Sequence, residues 1–421
     1  MISSGLFILL GLAFTKTGPS LILSYLLASL LVIPSLLSKA ELATAMPRTG
    51  GIFVYAHRSM GPGASTPAGF AAWVSLAFKS AFALIGIGAI LLLFFPGITI
   101  TQIKLVAVVS CLIFTFANLA GVKITGRVQT AIVVGLISLL VFYTIFGSFS
   151  VQSHRYAPFM PLGLSSVFAT AGFIFVSYGG LTKICAVADE IKNPRRNIPL
   201  GLFLSWGIVS SLYVLVAFVT VGVMDPVQLQ NSLTPISDGA STFMGGAGAL
   251  LMGFAALLAF CSTANAGILA ASRTSMAMGK DKLLPHSFRK LSKRGVPRFS
   301  ILSTSAFMIF AVLFLDLETL VKIASTLKLL LFLLAILSLI VMRESRVRHY
   351  RPTFRSPLYP WIQILGIIGY GFLIFEMGIV SMLTVCICVA CGLGWYWIYA
   401  RGKIKREHAL RHVVKRVTGK K

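Results

Sequence analysis

Apolar residues in this chain come in long unbroken runs, with polar and charged residues gathered between them. The long runs lie at 20–44, 66–95, 101–121, 129–150, 163–182, 199–224, 243–272, 299–315, 319–342, 358–377 and 379–400. Each suits the ~20 residues that a helix needs to cross about 30 Å of hydrocarbon. A shorter run at 2–14 is too brief to cross alone. It lacks a basic leader region, and the next run follows directly after Lys16-Thr17-Gly18-Pro19, so it reads as half of a broken helix rather than a cleaved signal. The pattern predicts an all-α polytopic membrane protein with eleven full spans and one partial span, numbered here with the partial run as span 1.

Composition excludes the soluble alternative. Of 421 residues, 57% are hydrophobic and 11% charged, against about 25% charged in an ordinary soluble domain. The net charge of +26 would suggest nucleic acid in a soluble protein, but its distribution points to the bilayer instead. Lys39, Arg48, Arg58, Lys123, Arg127, Lys192, Arg195, Arg196 and the basic clusters at 273–298, 343–355 and 401–421 fall in alternate loops and the tail. Opposite loops hold Lys16, Lys104 and Arg155 with the acids Asp225, Asp238, Asp316 and Glu318. Because Lys and Arg are retained on the cytoplasmic side, the chain is expected to be a multi-pass cell-membrane protein with a cytoplasmic C-terminus. No nucleic-acid partner is expected.

The chemistry is that of passage rather than catalysis. The six histidines, His57 among them, fall between or beyond the runs, and five of the six cysteines fall within them, with Cys185 just past the end of the 163–182 run. Cys388-x-x-Cys391 lacks the strand-to-helix context of a redox pair, so neither a catalytic centre nor a metal site is expected. Without a phosphate-cradling loop, any transport is driven by a gradient or by exchange. Two stretches look like helix breaks: Ser3-Ser4-Gly5-Leu6-Phe7 and Ser177-Tyr178-Gly179-Gly180. They fall in spans 1 and 6, five spans apart, although glycine also serves close helix packing. Freed backbone groups at such breaks can line a solute cavity.

Three stretches carry a resemblance. SLLSKAELATAMPRTGGIFVYAHRSMGP at 35–62, FVSYGGLTKICAVADEIKNPRRNIP at 175–199 and NAGILAASRTSMAMGKDKLLP at 265–285 resemble, in order, signatures of the amino acid-polyamine-organocation (APC) superfamily of amino acid permeases. The resemblance implies a five-plus-five inverted-repeat, LeuT-like transporter fold working by alternating access. Its repeats would occupy 1–150 and 160–343, with accessory spans at 356–400 and a basic cytoplasmic tail at 401–421. It implies an amino acid substrate whose carboxylate meets backbone N–H groups of Ser3, Ser4 and Gly5. The substrate's ammonium would meet carbonyls near Phe175, Val176 and Ser177, with Tyr178 as a gate and Gly179 and Gly180 opening the backbone.

The chain departs from that pattern in two places. The family's inner half of span 1 precedes the region where this sequence starts, which leaves a second expectation: a truncated, non-transporting homologue acting as scaffold or sensor. Where several relatives carry a sodium-replacing lysine in span 5, the matching position here is Gly135. Ser262 and Thr263 are candidate sodium ligands that could equally bond back to their own helix, and the coupling ion, Na+ or H+, stays open. No other cofactor is expected.

Charges inside spans are functional candidates because they are costly there. Lys79 and Lys183 qualify for coupling or charge selectivity, ahead of Lys322 and Lys328, and they favour neutral or acidic substrates over cationic ones. Glu41, Asp189 and Glu190 read as partners of the basic inner loops, and Glu376 as a residue of an outer turn.

Overall fold

The computed structural model describes residues 2, 4–47, 50–95, 97–121, 126–182, 191–293, 295–347, 350–402 and 409–410. The described residues form helices and connecting turns, with no strand among them. Each of the eleven long apolar runs coincides with a helical stretch, and the protein is a polytopic membrane protein. Nine stretches among the described residues are long and apolar enough to cross a bilayer. One of these, Leu9–Ala45, joins the partial run to the span after it. Two further apolar helices, Arg298–Phe314 and Trp361–Glu376, have 17 and 16 residues, or about 25 Å of rise.

The chain opens with α1 (Ser4–Phe7) and α2 (Leu9–Thr17), then passes through a 3-10 turn into α3 (Leu21–Ala45). A short helix, α4 (Ile52–Met60), precedes α5 (Pro62–Ala89), α6 (Ile100–Ala120) and α7 (Gly126–Ser148). The second half begins with α8 (Gly163–Phe173), which tightens into a 3-10 segment at Ile174–Thr182. It continues with α9 (Pro194–Val223), α10 (Pro226–Asn231), α11 (Pro235–Lys280), α12 (His286–Arg289), α13 (Arg298–Phe314) and α14 (Leu317–Glu344). The pair α15 (Trp361–Glu376) and α16 (Ile379–Trp395) follows, and α16 runs on into a π-helical segment at Tyr396–Ala400.

Local chemistry sets several boundaries. Thr99 and Gln102 form a capping box at the start of α6, each side chain satisfying a backbone N–H that the first turn leaves unpaired. Asp225 caps α10 and Asp316 caps α14. Gly245, at φ +65°, breaks α11 near its start, so the apolar run expected from 243 begins at a kink.

Two expectations about polar residues change. Lys39, grouped with the loop charges although the 20–44 run contains it, lies on α3, buried, with its ammonium 3.3 Å from the Phe332 ring centroid. His57 lies on α4, buried, its Nδ1 2.9 Å from the Ser65 hydroxyl. The amphipathic pattern of 52–60 was masked by the long apolar runs on either side.

Burial grades across the bundle. Helices α5 and α14 are largely enclosed, while α6, α7, α15 and α16 display Leu105, Phe116, Val134, Ile368 and Leu383 on their outer faces. An apolar exterior of this kind suits lipid, which offers nothing for polar side chains to bond.

Candidate functional site: the junction of two interrupted helices

The first interruption separates α1 from α2 at Ile8, just past the Ser3–Phe7 stretch read as the break, of which Ser4–Phe7 are themselves helical. The second begins where α8 gives way to 3-10 geometry at Ile174, earlier than the Ser177–Gly180 break read from the glycines. The backbone has already changed pitch before it reaches Gly179. Beyond Thr182, the candidate Lys183 and the acids Asp189 and Glu190 lie outside the described residues, as does Ser3.

The two interruptions meet. The Ser177 hydroxyl donates to the Gly5 carbonyl at 2.8 Å, and the Tyr25 hydroxyl of α3 donates to the same oxygen at 3.0 Å. Gly5 permits this approach: a Cβ there would lie 2.8 Å from the Ser177 Cα. Ser4 is fully buried and its hydroxyl has no hydrogen-bond partner among the described residues. Ser177, Phe175 and Tyr178 are likewise fully buried, so the junction is closed in this conformation.

Helices α5 and α14 supply the rest of the shell. The Lys79 ammonium, on α5, donates to the Val176 carbonyl at 3.0 Å and lies 3.5 Å from that of Ser177. From α14, the Ser325 hydroxyl donates to the Phe173 carbonyl at 2.5 Å and accepts the Val176 N–H at 3.1 Å. Carbonyls and amides that an α-helix would pair internally are thereby satisfied by side chains of neighbouring helices, as a buried interruption requires. Lys328 follows Ser325 on the same face of α14 and is also buried; a Cβ on Gly179 would meet its Cε at 2.8 Å. Gly180 is half-buried.

The aromatic residues are anchored away from the polar groups. Tyr178 donates its hydroxyl to the Tyr25 carbonyl at 3.0 Å and meets the Tyr213 ring edge-on at 5.4 Å. Phe175 packs edge-on against Phe332 and Tyr370.

Other candidates lie apart from this constellation. Ser262 on α11 exchanges hydrogen bonds with the Gln129 amide of α7, at 3.0 and 3.3 Å, and Thr263 beside it is half-buried. Gly135 is on the exposed face of α7, with open space where a side chain would project. Gln129, rather than position 135, is therefore what α7 presents to Ser262.

Sequence reasoning ranked Lys328 too low and passed over Ser325 and Tyr25. Lys328 lies near the middle of the 319–342 run, which is the signal that should have raised it. Ser325 precedes it by about one helical turn. Tyr25 carried no comparable signal, because its role depends on where the Gly5 carbonyl ends up.

Each end of the bundle carries its own polar cluster. At one end, Glu41 is fully buried and receives Arg343 Nε at 2.8 Å, Arg343 Nη2 at 2.5 Å, the Tyr350 hydroxyl at 2.9 Å and the Ser356 N–H at 2.7 Å. Burial first, then the Glu41 carboxylate, holds the Tyr350 hydroxyl well above the ordinary tyrosine range, so it donates as a neutral group. At the other end, Lys16 pairs with Glu318 and lies 4.9 Å from the Phe173 ring centroid, while the Ser165 hydroxyl donates to Glu376 at 2.6 Å. Lys16, Thr170, Phe173, Lys322 and Glu376 line a cavity of about 210 Å³ there.

Known proteins agree with this architecture. A family model described as amino acid permease matches residues 1–399. The Branched-chain amino acid permease BcaP of Bacillus subtilis is 26% identical over 423 residues, covering 95% of this chain and 90% of the relative. The Methylthioribose transporter of the same organism is 26% identical over 419 residues, again covering 95% and 90%. A vacuolar Cationic amino acid transporter 4 from Arabidopsis thaliana is 29% identical over 366 residues, covering 81% of this chain and 60% of the relative. With a match across nearly its whole length, the chain belongs to the amino acid permease family of the APC superfamily.

Proposed function

We propose that this protein is a secondary transporter of amino acids, neutral or acidic rather than cationic, working by alternating access, with its solute site at the junction of the two interrupted helices. The observation that carries the reading is the shared Gly5 carbonyl, which receives Ser177 from one interruption and Tyr25 from α3. In this reading, Ser3, Ser4 and Gly5 face the solute carboxylate. The carbonyls of Phe175, Val176 and Ser177 form the cation-binding side, and Tyr178 acts as a gate. Residues 1–150 and 160–343 form two five-span repeats that rock against each other, and 356–400 adds two accessory spans. The Glu41–Arg343 cluster closes the cytoplasmic end and the Lys16–Glu318 pair the opposite end.

Charge argues for neutral or acidic solutes. Lys79 and Lys328 place buried ammonium groups at the junction, and a like charge brought beside them is repelled strongly where polarity is low. The relatives named for branched-chain and for cationic amino acids point in different directions, and the buried lysines favour the former. The test is uptake of the twenty amino acids into proteoliposomes, with and without a sodium or pH gradient. Saturable uptake of at least one neutral or acidic amino acid is expected; failure with all twenty would remove the reading.

A further inference from the structure

Two of the three carbonyls on the cation-binding side of the junction already face an ammonium. The Lys79 ammonium donates to the Val176 carbonyl at 3.0 Å and lies 3.5 Å from the Ser177 carbonyl, two of the oxygens that would otherwise receive a solute's amino group. Lys79 is 5% exposed and comes from a different helix, so its hold does not depend on the solute. A second ammonium in the same place would have to crowd onto the same two carbonyls and approach a like charge. Lys328, buried against Gly179, adds positive charge to the same wall. The fully buried Ser4 hydroxyl, without a partner among the described residues, is a donor that can meet an anionic group.

We infer that Lys79 supplies the ammonium of this site, so that the solute is recognised by its carboxylate and its α-amino group is dispensable. The class admitted then includes amine-free carboxylates such as 2-oxo acids beside the matching amino acids. This inference rests on reading the junction as the solute site.

The test compares leucine with 4-methyl-2-oxopentanoate, which share a side chain and a carboxylate and differ at the α-position. Binding of each to the purified full chain is measured by calorimetry, for wild type, Lys79→Met and Lys79→Arg. Wild type is expected to bind the oxo acid at least as tightly as leucine. Lys79→Met frees the two carbonyls and is expected to shift the affinity ratio toward leucine by about tenfold or more, the range for a charge-assisted hydrogen bond. Lys79→Arg keeps the cation and is expected to leave the ratio near that of wild type. Leucine binding without oxo acid binding in wild type would overturn the inference while leaving the junction as a solute site, and so would an unchanged ratio in Lys79→Met. The wild-type comparison alone decides the matter if Lys79→Met does not fold. Binding of neither compound, together with failure of the twenty-amino-acid panel, would remove the site reading and this inference with it.

Discussion

The Ser177 hydroxyl and the Gly5 carbonyl, 172 residues apart in sequence, lie 2.8 Å apart in the fold. In an uninterrupted helix the Gly5 carbonyl would belong to the amide four residues on; the break at Ile8 leaves it to receive the Ser177 hydroxyl. The contact exists because both helices are interrupted, and it makes the position of one half of the bundle depend on the other.

Substitution at Gly5 should expose that dependence. The Cβ of Gly5→Ala would lie 2.8 Å from the Ser177 Cα, and backbone cannot step aside as a side-chain tip can. Uptake normalised to inserted protein is expected to fall by about tenfold or more, the scale of overpacking a close contact. Wild-type uptake by Gly5→Ala would show that the two interruptions need not stay in contact.

Gly179 tests the neighbouring wall. An added Cβ meets the Cε of Lys328, the far end of a flexible side chain, so Gly179→Ala is expected to insert normally and transport weakly. Gly179→Val and Gly180→Val are expected to abolish transport with little loss of inserted protein, since a β-branched residue also restricts the backbone. Size-exclusion profiles of the detergent-solubilised variants separate loss of transport from loss of folding.

Much of this was readable from residue order. The apolar runs located all eleven long helices because a bilayer demands length and hydrophobicity whatever the packing. Glu41 was identified as a loop partner because an acid beside so many basic loop residues has few other uses. The exact start of the second interruption was hidden: Ile174 to Val176 read as ordinary apolar helix, and what changes their pitch is Ser325 and Lys79 reaching in from α14 and α5. The place of Lys39 on a span was legible, since the 20–44 run contains it; what residue order does not carry is the Phe332 ring of a distant helix that receives its ammonium.

The Glu41 cluster should behave as a structural latch. Glu41→Gln keeps the shape but removes the charge that Arg343, Tyr350 and the Ser356 N–H converge on. A loss of about 2–4 kcal/mol is expected, below the full cost of breaking a wholly buried pair because Arg343 is partly exposed. Thermal unfolding monitored by intrinsic fluorescence checks this. Adding Arg343→Met to the same chain should recover part of the loss, and purely additive losses would mean the two residues act independently.

Orientation is open to direct chemistry. Single cysteines at 226–233 are expected to react with a membrane-impermeant maleimide from outside intact cells, and those at 282–292 only after permeabilisation. The reverse pattern would invert the topology.

Selectivity follows from the buried lysines. Arginine, lysine and putrescine are expected to compete poorly with a neutral amino acid for uptake, because each would carry a second cation toward Lys79 and Lys328. Robust saturable uptake of arginine or putrescine by the wild-type protein would contradict that assignment of charge.

The junction itself is tested most directly by one paired measurement: initial uptake of the best neutral or acidic amino acid into proteoliposomes holding equal amounts of wild type and Gly179→Val. Saturable uptake by wild type and none above empty liposomes by the variant is the expected result. Equal uptake by both proteins would place the transport path somewhere other than the meeting point of the two interrupted helices.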